Sequence, residues 1–156
     1  MFLLQALLFL DHQIMRKLFK ASVKKLLSFI FISFSAIAVA SLEMSFEGKT
    51  AKLNLIISNT DSLRRKGLMH QSFLQNNTGM LFIWPSSKKQ CMWMKNTSLP
   101  LSVAYLSSDG RILEIYDMVP FSEESICSTK NIRMAVEVNQ GWFTENKISV
   151  GDKINL

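Results

Sequence analysis

Two strand-like runs, Leu101 to Ser107 (LSVAYLS) and Arg111 to Val119 (RILEIYDMV), stand on either side of Asp109-Gly110. Aspartate followed by glycine suits the positive-φ positions of a tight hairpin, so this stretch must be able to form an antiparallel pair of strands. A period of two recurs elsewhere. Thr50 to Ser58 (TAKLNLIIS) sets Ala51, Leu53, Leu55 and Ile57 against Lys52, Asn54, Ile56 and Ser58, and Ile132 to Val138 (IRMAVEV) alternates again. Gly79 to Trp84 is a short apolar run closed by Pro85, the pattern of a buried strand. Ser86 to Gln90 is expected to turn, and Cys91 to Met94 to pair back, with Cys91 and Trp93 on one face and Met92 and Met94 on the other.

Helical signals are fewer. Asn59, Thr60 and Asp61 supply capping oxygens before SLRRKGLM, where Leu63, Gly67 and Leu68 fall at helical spacing and predict a short helix ending near Met69. The consecutive Arg64, Arg65 and Lys66 point in different directions around such a helix and read as a solvated basic face. Gln140 to Asn146 predicts one further turn, Gln71 to Thr78 and Pro120 to Asn131 read as polar connections, and Ile154 to Leu156 as a short final strand after a turn at Val150 to Lys153. The fold class expected is mainly β (α+β): one small domain with a mostly antiparallel sheet, open to closing as a barrel, and one or two short helices.

That domain is expected over residues 41–156, behind a leader at 1–40. From Met15 a basic region (MRKLFKASVKK) precedes an apolar run from Leu26 to Val39 and then Ala38-Val39-Ala40, the three-part layout of a secretory signal. The apolar run falls short of the roughly 20 residues that cross a bilayer comfortably, so cleavage after Ala40 is the first reading and an uncleaved N-terminal anchor the second. Residues 1–14 contain no Lys or Arg, which points to Met15 as the true start. Localisation follows: exported, periplasmic or tethered to the outer face of the inner membrane, with the membrane a partner only through the leader.

Charge distribution narrows the partners. The leader holds five basic side chains and one acid, whereas residues 41–156 hold thirteen basic and eleven acidic ones. The folded part is nearly neutral, which argues against nucleic acid. Export bears on Cys91 and Cys127 too: in an oxidising compartment they could pair, and the alternative is two partly buried thiols acting as small hydrophobes.

The order Gly67-Leu68-Met69, Gly79-Met80-Leu81-Phe82, Trp93-Met94-Lys95-Asn96-Thr97, Pro100-Leu101, Asp109-Gly110, Val136-Glu137-Val138, Gly141 and Gly151-Asp152 resembles that of the domain of unknown function 192 (DUF192) family, from about residue 49 to the end. The resemblance implies a small β-rich domain, often exported or membrane-tethered in bacteria, and carries no catalytic residues. Members commonly have Arg where this chain has Gln71, and Asp where it has Ser102.

The chemistry available is sparse. After the leader there is one histidine, His70, and no C-x-x-C pair, so neither a zinc set nor a Cys-His or Ser-His nucleophile is indicated, and no glycine-rich phosphate loop is present. Seven methionines after the leader, with Met69-His70 and Cys91-Met92-Trp93-Met94, leave Cu(I) as an alternative. Glu114, Asp117, Glu137 and Asp152 leave a carboxylate-dependent hydrolase as another. The leading expectation is a non-catalytic binding domain, without cofactor, for a small polar ligand or peptide of the cell envelope. Its rim would be Trp93, Lys95, Asn96 and Thr97, with Glu137 beside it. The competing account makes Asn96-Thr97 a turn and Lys95 its solvated flank. Glu137 is expected either at an exposed strand edge, the favoured case, or buried against a cation such as Lys95 or Arg111.

Overall fold

The computed structural model describes residues 41–155; the leader, with its expected cleavage point and alternative start, and Leu156 lie outside them. In chain order the elements are β1 (Ser41–Ser45), β2 (Lys52–Ser58), α1 (Asp61–Lys66), β3 (Thr78–Lys88), β4 (Cys91–Met92), β5 (Leu101–Leu106), β6 (Ile112–Met118), β7 (Ile126–Cys127), β8 (Ile132–Asn139) and α2 (Trp142–Glu145). Six strands form one sheet in the order β1-β2-β3-β8-β5-β6, and β4 pairs with β7 in a separate two-stranded piece. Only β2 and β3 run parallel, joined by the crossover that contains α1; the other pairs of the large sheet are antiparallel. Among the described residues no helix is long and apolar enough to cross a membrane.

The central strands are apolar on both sides because both faces of the sheet are covered. All six residues of β5 are buried. On one face Leu55, Leu81, Leu106, Val136 and Val138 pack under Trp142 and Phe143 of α2 and under Ile148 and Ile154. On the other face Met80, Phe82, Leu101, Val103 and Ala135 pack under Leu68, Leu74, Met92, Met94 and Leu99, which come from irregular chain and β4. The second cover has little regular structure of its own, and the pocket lies within it.

Several local expectations are corrected. The hairpin at Asp109-Gly110 forms, but only Gly110 takes positive φ; a Gly110 N–H to Ser107 carbonyl bond closes the turn and the β5–β6 register shifts beyond Tyr105. Pro85 does not end β3. The strand continues to Lys88, and Pro85 falls in the stretch between Ile83 and Lys88 where the ladder to β8 is irregular, so its missing N–H leaves no ladder bond broken. Cys91 and Met92 pair with β7 rather than with β3, which puts a strand inside the connection expected to be irregular. The alternation of β2 lapses at its end, where Ile56 packs on the second face and Ser58 is buried beside its partner Phe82.

α1 is capped by Thr60, whose hydroxyl accepts from the Leu63 N–H, and it stops at Lys66: Gly67 still donates its N–H to the Leu63 carbonyl, but its positive φ of 48 takes the chain off the helical path. β1 has no counterpart in the sequence reading. Its only inward side chain is Met44, followed by Phe46, too short a pattern to stand out behind the leader. At the other end, Lys153 and Ile154 bridge to Arg111 and Phe46, tying the two edge strands together at one end of a sheet that strand pairing does not close into a barrel.

Candidate functional site

Above the second face of the sheet lies a pocket of about 340 Å³, and Glu137 forms part of its floor. β8 alternates: Met134, Val136 and Val138 enter the first core, so Glu137 must face the second, opposite Met80 of β3 and Val103 of β5. The residue is 4% exposed, and among the described residues no hydrogen bond or ion pair reaches its carboxyl group. Burial pushes that carboxyl up to about 8, so at neutral pH it is mostly protonated and acts as an uncharged donor. Of the two sequence expectations for Glu137 the exposed edge is corrected; the burial and shifted pKa of the other are found, but without Lys95 or Arg111 as an ion-pair partner.

The walls are apolar and aromatic. Phe82 stacks on Trp84 with ring centroids 6.1 Å apart, and Met92, Met94 and Leu101 complete the inner lining. The turn after α1 is seated by Gly67, where a Cβ would already touch the Phe82 ring at 3.5 Å. Trp93 stands at the edge, 44% exposed. β4 holds this wall in place: Cys91 and Cys127 sit opposite each other and form a disulfide, and beside it the Ser128 N–H donates to the Gln90 carbonyl while the Gln90 N–H donates to the Ser128 hydroxyl. The Tyr105 hydroxyl, whose phenol burial pushes upward in pKa, donates to the Ile126 carbonyl from below and fastens β7 to the sheet.

The mouth is basic. Arg64 is committed to structure, donating to the Ile83 carbonyl at 2.6 Å and pairing with Asp61. Arg65, Lys66 and Lys88 also line the pocket, and none of them has an ion-pair partner among the described residues. Gln90 adds another polar group, since its Nε2 is buried without a hydrogen-bond partner among the described residues.

The five residues expected to form a rim separate into two groups. Trp93, Thr97 and Glu137 line the pocket, whereas Lys95 and Asn96 do not. Lys95 and Asn96 are the central pair of a turn closed by the Thr97 N–H to the Met94 carbonyl, with Asn96 left-handed at φ 55. The Asn96 carbonyl accepts from the His70 N–H, and Lys95 lies 5.2 Å over the Trp93 ring and 3.6 Å from Glu123. Thr97, although it lines the pocket, bonds its hydroxyl to the Lys95 carbonyl. The amide and amine therefore belong to the turn, and the polar groups presented to the pocket are Glu137, Gln90, Arg65, Lys66 and Lys88. The triplet at 64–66 was visible in the sequence, but nothing there showed that the pocket opens against it.

The other carboxylates considered for chemistry are engaged elsewhere. Although burial pushes Glu114 upward, the Thr129 and Lys130 N–H groups and the Tyr116 hydroxyl hold its carboxylate below the usual range. Asp117 accepts from Ser102, the position where family members commonly have Asp, and Asp152 accepts from Ser149 and pairs with Lys49. No group of three or more His, Cys, Asp or Glu side chains suited to a metal occurs among the described residues.

Comparison with known proteins agrees with this architecture. The profile of the DUF192 family, described as "Uncharacterized ACR", matches residues 42–156. A protein from Sinorhizobium meliloti 1021, provisionally assigned as a transcription regulator, is similar with a TM-score of 0.73 and 31% identity, over 78% of this chain and 97% of its own. A protein of unknown function from Novosphingobium aromaticivorans DSM 12444 shares the fold with a TM-score of 0.71 and 24% identity, over 78% of this chain and 89% of its own. No curated protein matches the chain significantly.

Proposed function

Because the chain belongs to the DUF192 family, whose description carries no activity, its function must be read from the pocket, and we propose that it is a non-catalytic binding domain for a small ligand of the cell envelope. One observation carries this reading: a buried carboxyl that no group among the described residues bonds or pairs with forms part of the floor of an aromatic-walled pocket. A buried polar group left unpaired costs stability, so its presence beside open space favours a partner that arrives from outside. The pocket volume is at the lower end of the range of about 300–1,000 Å³ typical of small-molecule sites.

Two other classes remain as rivals. A hydrolase acting through carboxylates needs a second acid across the cleft from Glu137. Asp61, the other carboxylate at the pocket, is paired with Arg64, which favours binding over catalysis. Cu(I) is supported by Met69, Met92 and Met94 on one pocket lining, while the disulfide withdraws both thiols from it. The same disulfide supports export, since oxidising compartments are where such a bond persists.

The test uses the full chain labelled with ¹⁵N and a panel of small organic compounds. A ligand should shift the indole N–H signals of Trp84 and Trp93 saturably and leave Trp142, in the opposite core, unmoved. Parallel incubation with envelope glycans and esters, and titration with Cu(I) against a competing chelator, separate the rivals. If product appears, the hydrolase replaces the binding reading; if only Cu(I) moves the two indoles, the copper reading does.

A further inference from the structure

Resting on the binding reading, we propose that the ligand is a small monocarboxylate with an aromatic or branched apolar body. Its carboxylate draws its counter-charge from Arg65, Lys66 and Lys88 and its hydrogen bonds from Gln90 and Glu137, and its body lies against Trp84, Met92 and Met94.

Charge complementarity selects the anion. The ionisable side chains that line the pocket are Asp61, Arg64, Arg65, Lys66, Lys88 and Glu137. Asp61 and Arg64 neutralise each other, which leaves three cations at the mouth without ion-pair partners among the described residues. Lys95, close by, is occupied by Glu123 and the Trp93 face. The one remaining acid, Glu137, is buried, and the strands packed against it present Met80 and Val103 rather than a charge. A carboxyl in such surroundings keeps its proton at neutral pH, so it gives a cationic ligand no counter-charge and offers an acceptor a hydrogen bond. Gln90 Nε2 is a second donor, without a partner among the described residues, and it too calls for an acceptor.

Size and shape select the body. At about 30 Å³ for each water-sized volume, the pocket holds the equivalent of about eleven waters, a molecule of about a dozen non-hydrogen atoms. Phe82, Trp84, Met92, Met94 and Leu101 offer that molecule rings and thioethers and no further charge. A single ring on a short chain ending in carboxylate meets both requirements; a long peptide or an oligosaccharide does not fit within the walls.

Three probes with one body and different heads test the proposal on the full chain at pH 7: phenylpropanoate, phenylpropanol and phenylpropylamine. The indole signals of Trp84 and Trp93 report the affinity of each. The acid should bind about tenfold more tightly than the alcohol, and the alcohol more tightly than the amine. The exposed triple substitution R65Q/K66Q/K88Q should bring the acid's affinity down to the alcohol's, and raising the salt from about 50 mM to about 500 mM should narrow the gap in the unsubstituted protein. Equal affinity for acid and alcohol, preference for the amine, or an acid preference that survives the triple substitution overturns the proposal while leaving a pocket that binds. Silence of both indoles toward all three probes overturns the binding reading as well.

Discussion

Gly79 of β3 passes so close to Glu137 of β8 that a Cβ on the glycine would stand 2.5 Å from the glutamate's carbonyl oxygen. The same Cβ would meet Val138 at 2.9 Å and Leu55 at 3.2 Å. Both strands are central, so neither can move aside without disturbing a core. Gly79→Ala should destabilise the protein by about 1–3 kcal/mol through overpacking. It should also displace the backbone that carries Glu137, so the Trp84 indole signal shifts without ligand. Denaturant unfolding measures the first effect; a variant as stable as the parent would show that β3 and β8 separate more easily than this packing implies.

Glu137 sets a pH dependence opposite in direction to that of ordinary paired carboxylates. Its folded-state pKa of about 8 lies above its usual 4.5, so between those values the folded chain keeps a proton that the unfolded chain has lost. The folded state then binds more protons, and stability falls as pH rises through this window and levels above it. At about 1.4 kcal/mol for each pH unit, the loss approaches about 5 kcal/mol by pH 8. Glu114 acts on the other side, since its lowered pKa contributes stability that is lost as pH falls below the usual carboxylate range. Glu137→Gln should flatten the decline between about pH 5 and pH 8 and leave the acid limb in place. Unfolding curves across that range measure the slope, and a parent protein equally stable at both ends would mean that the carboxyl ionises without cost.

The sheet was readable because its signals are local. Alternation in Lys52–Ser58 and Ile132–Asn139, and Gly110 between Leu106 and Ile112, each specify a strand or a turn within a few residues. Pairings between distant segments were not readable. Cys91 and Met92 look like the return arm of a hairpin on β3, yet their partners lie at Ile126 and Cys127, a choice made by the disulfide and by Tyr105 reaching across to the Ile126 carbonyl. The pocket depends on those distant choices, which is why Trp93, Thr97 and Glu137 could be named but Arg65, Lys66, Lys88 and Gln90 could not. Glu137 itself stood out as a charge among apolar neighbours, but a period of two leaves open which face is covered until both covers are known.

The wall carried by β4 should depend on its disulfide. The β4–β7 ladder has only two residue pairs, too few to hold a strip of chain in water, and the bond closes a loop of sequence separation 36. Chain-entropy reasoning puts the contribution of such a loop at about 3–4 kcal/mol. Reduction, or the pair Cys91→Ser and Cys127→Ser, should lower stability by an amount of that order and broaden the Trp93 indole signal while Trp142 stays sharp. Thermal unfolding with and without reductant makes the measurement. If the reduced protein melted as high as the oxidised one, the Tyr105 and Gln90–Ser128 contacts would be enough to hold the wall.

Asn96 separates the turn from the site. Its φ of 55 is a backbone state that asparagine tolerates, glycine adopts freely and alanine resists. The turn it forms also receives the His70 N–H and, through Thr97, the Phe121 N–H, so distortion there would reach two neighbouring segments. Asn96→Gly should therefore leave stability within about 0.5 kcal/mol of the parent, and Asn96→Ala should cost about 1 kcal/mol or more. Both variants should bind phenylpropanoate with the parent's affinity, because the amide does not line the pocket. Stability by urea titration and affinity from the Trp84 signal give the two readouts separately. Loss of affinity in the stable glycine variant would return the Asn96 amide to the binding rim; loss of stability in the alanine variant alone assigns it to the backbone.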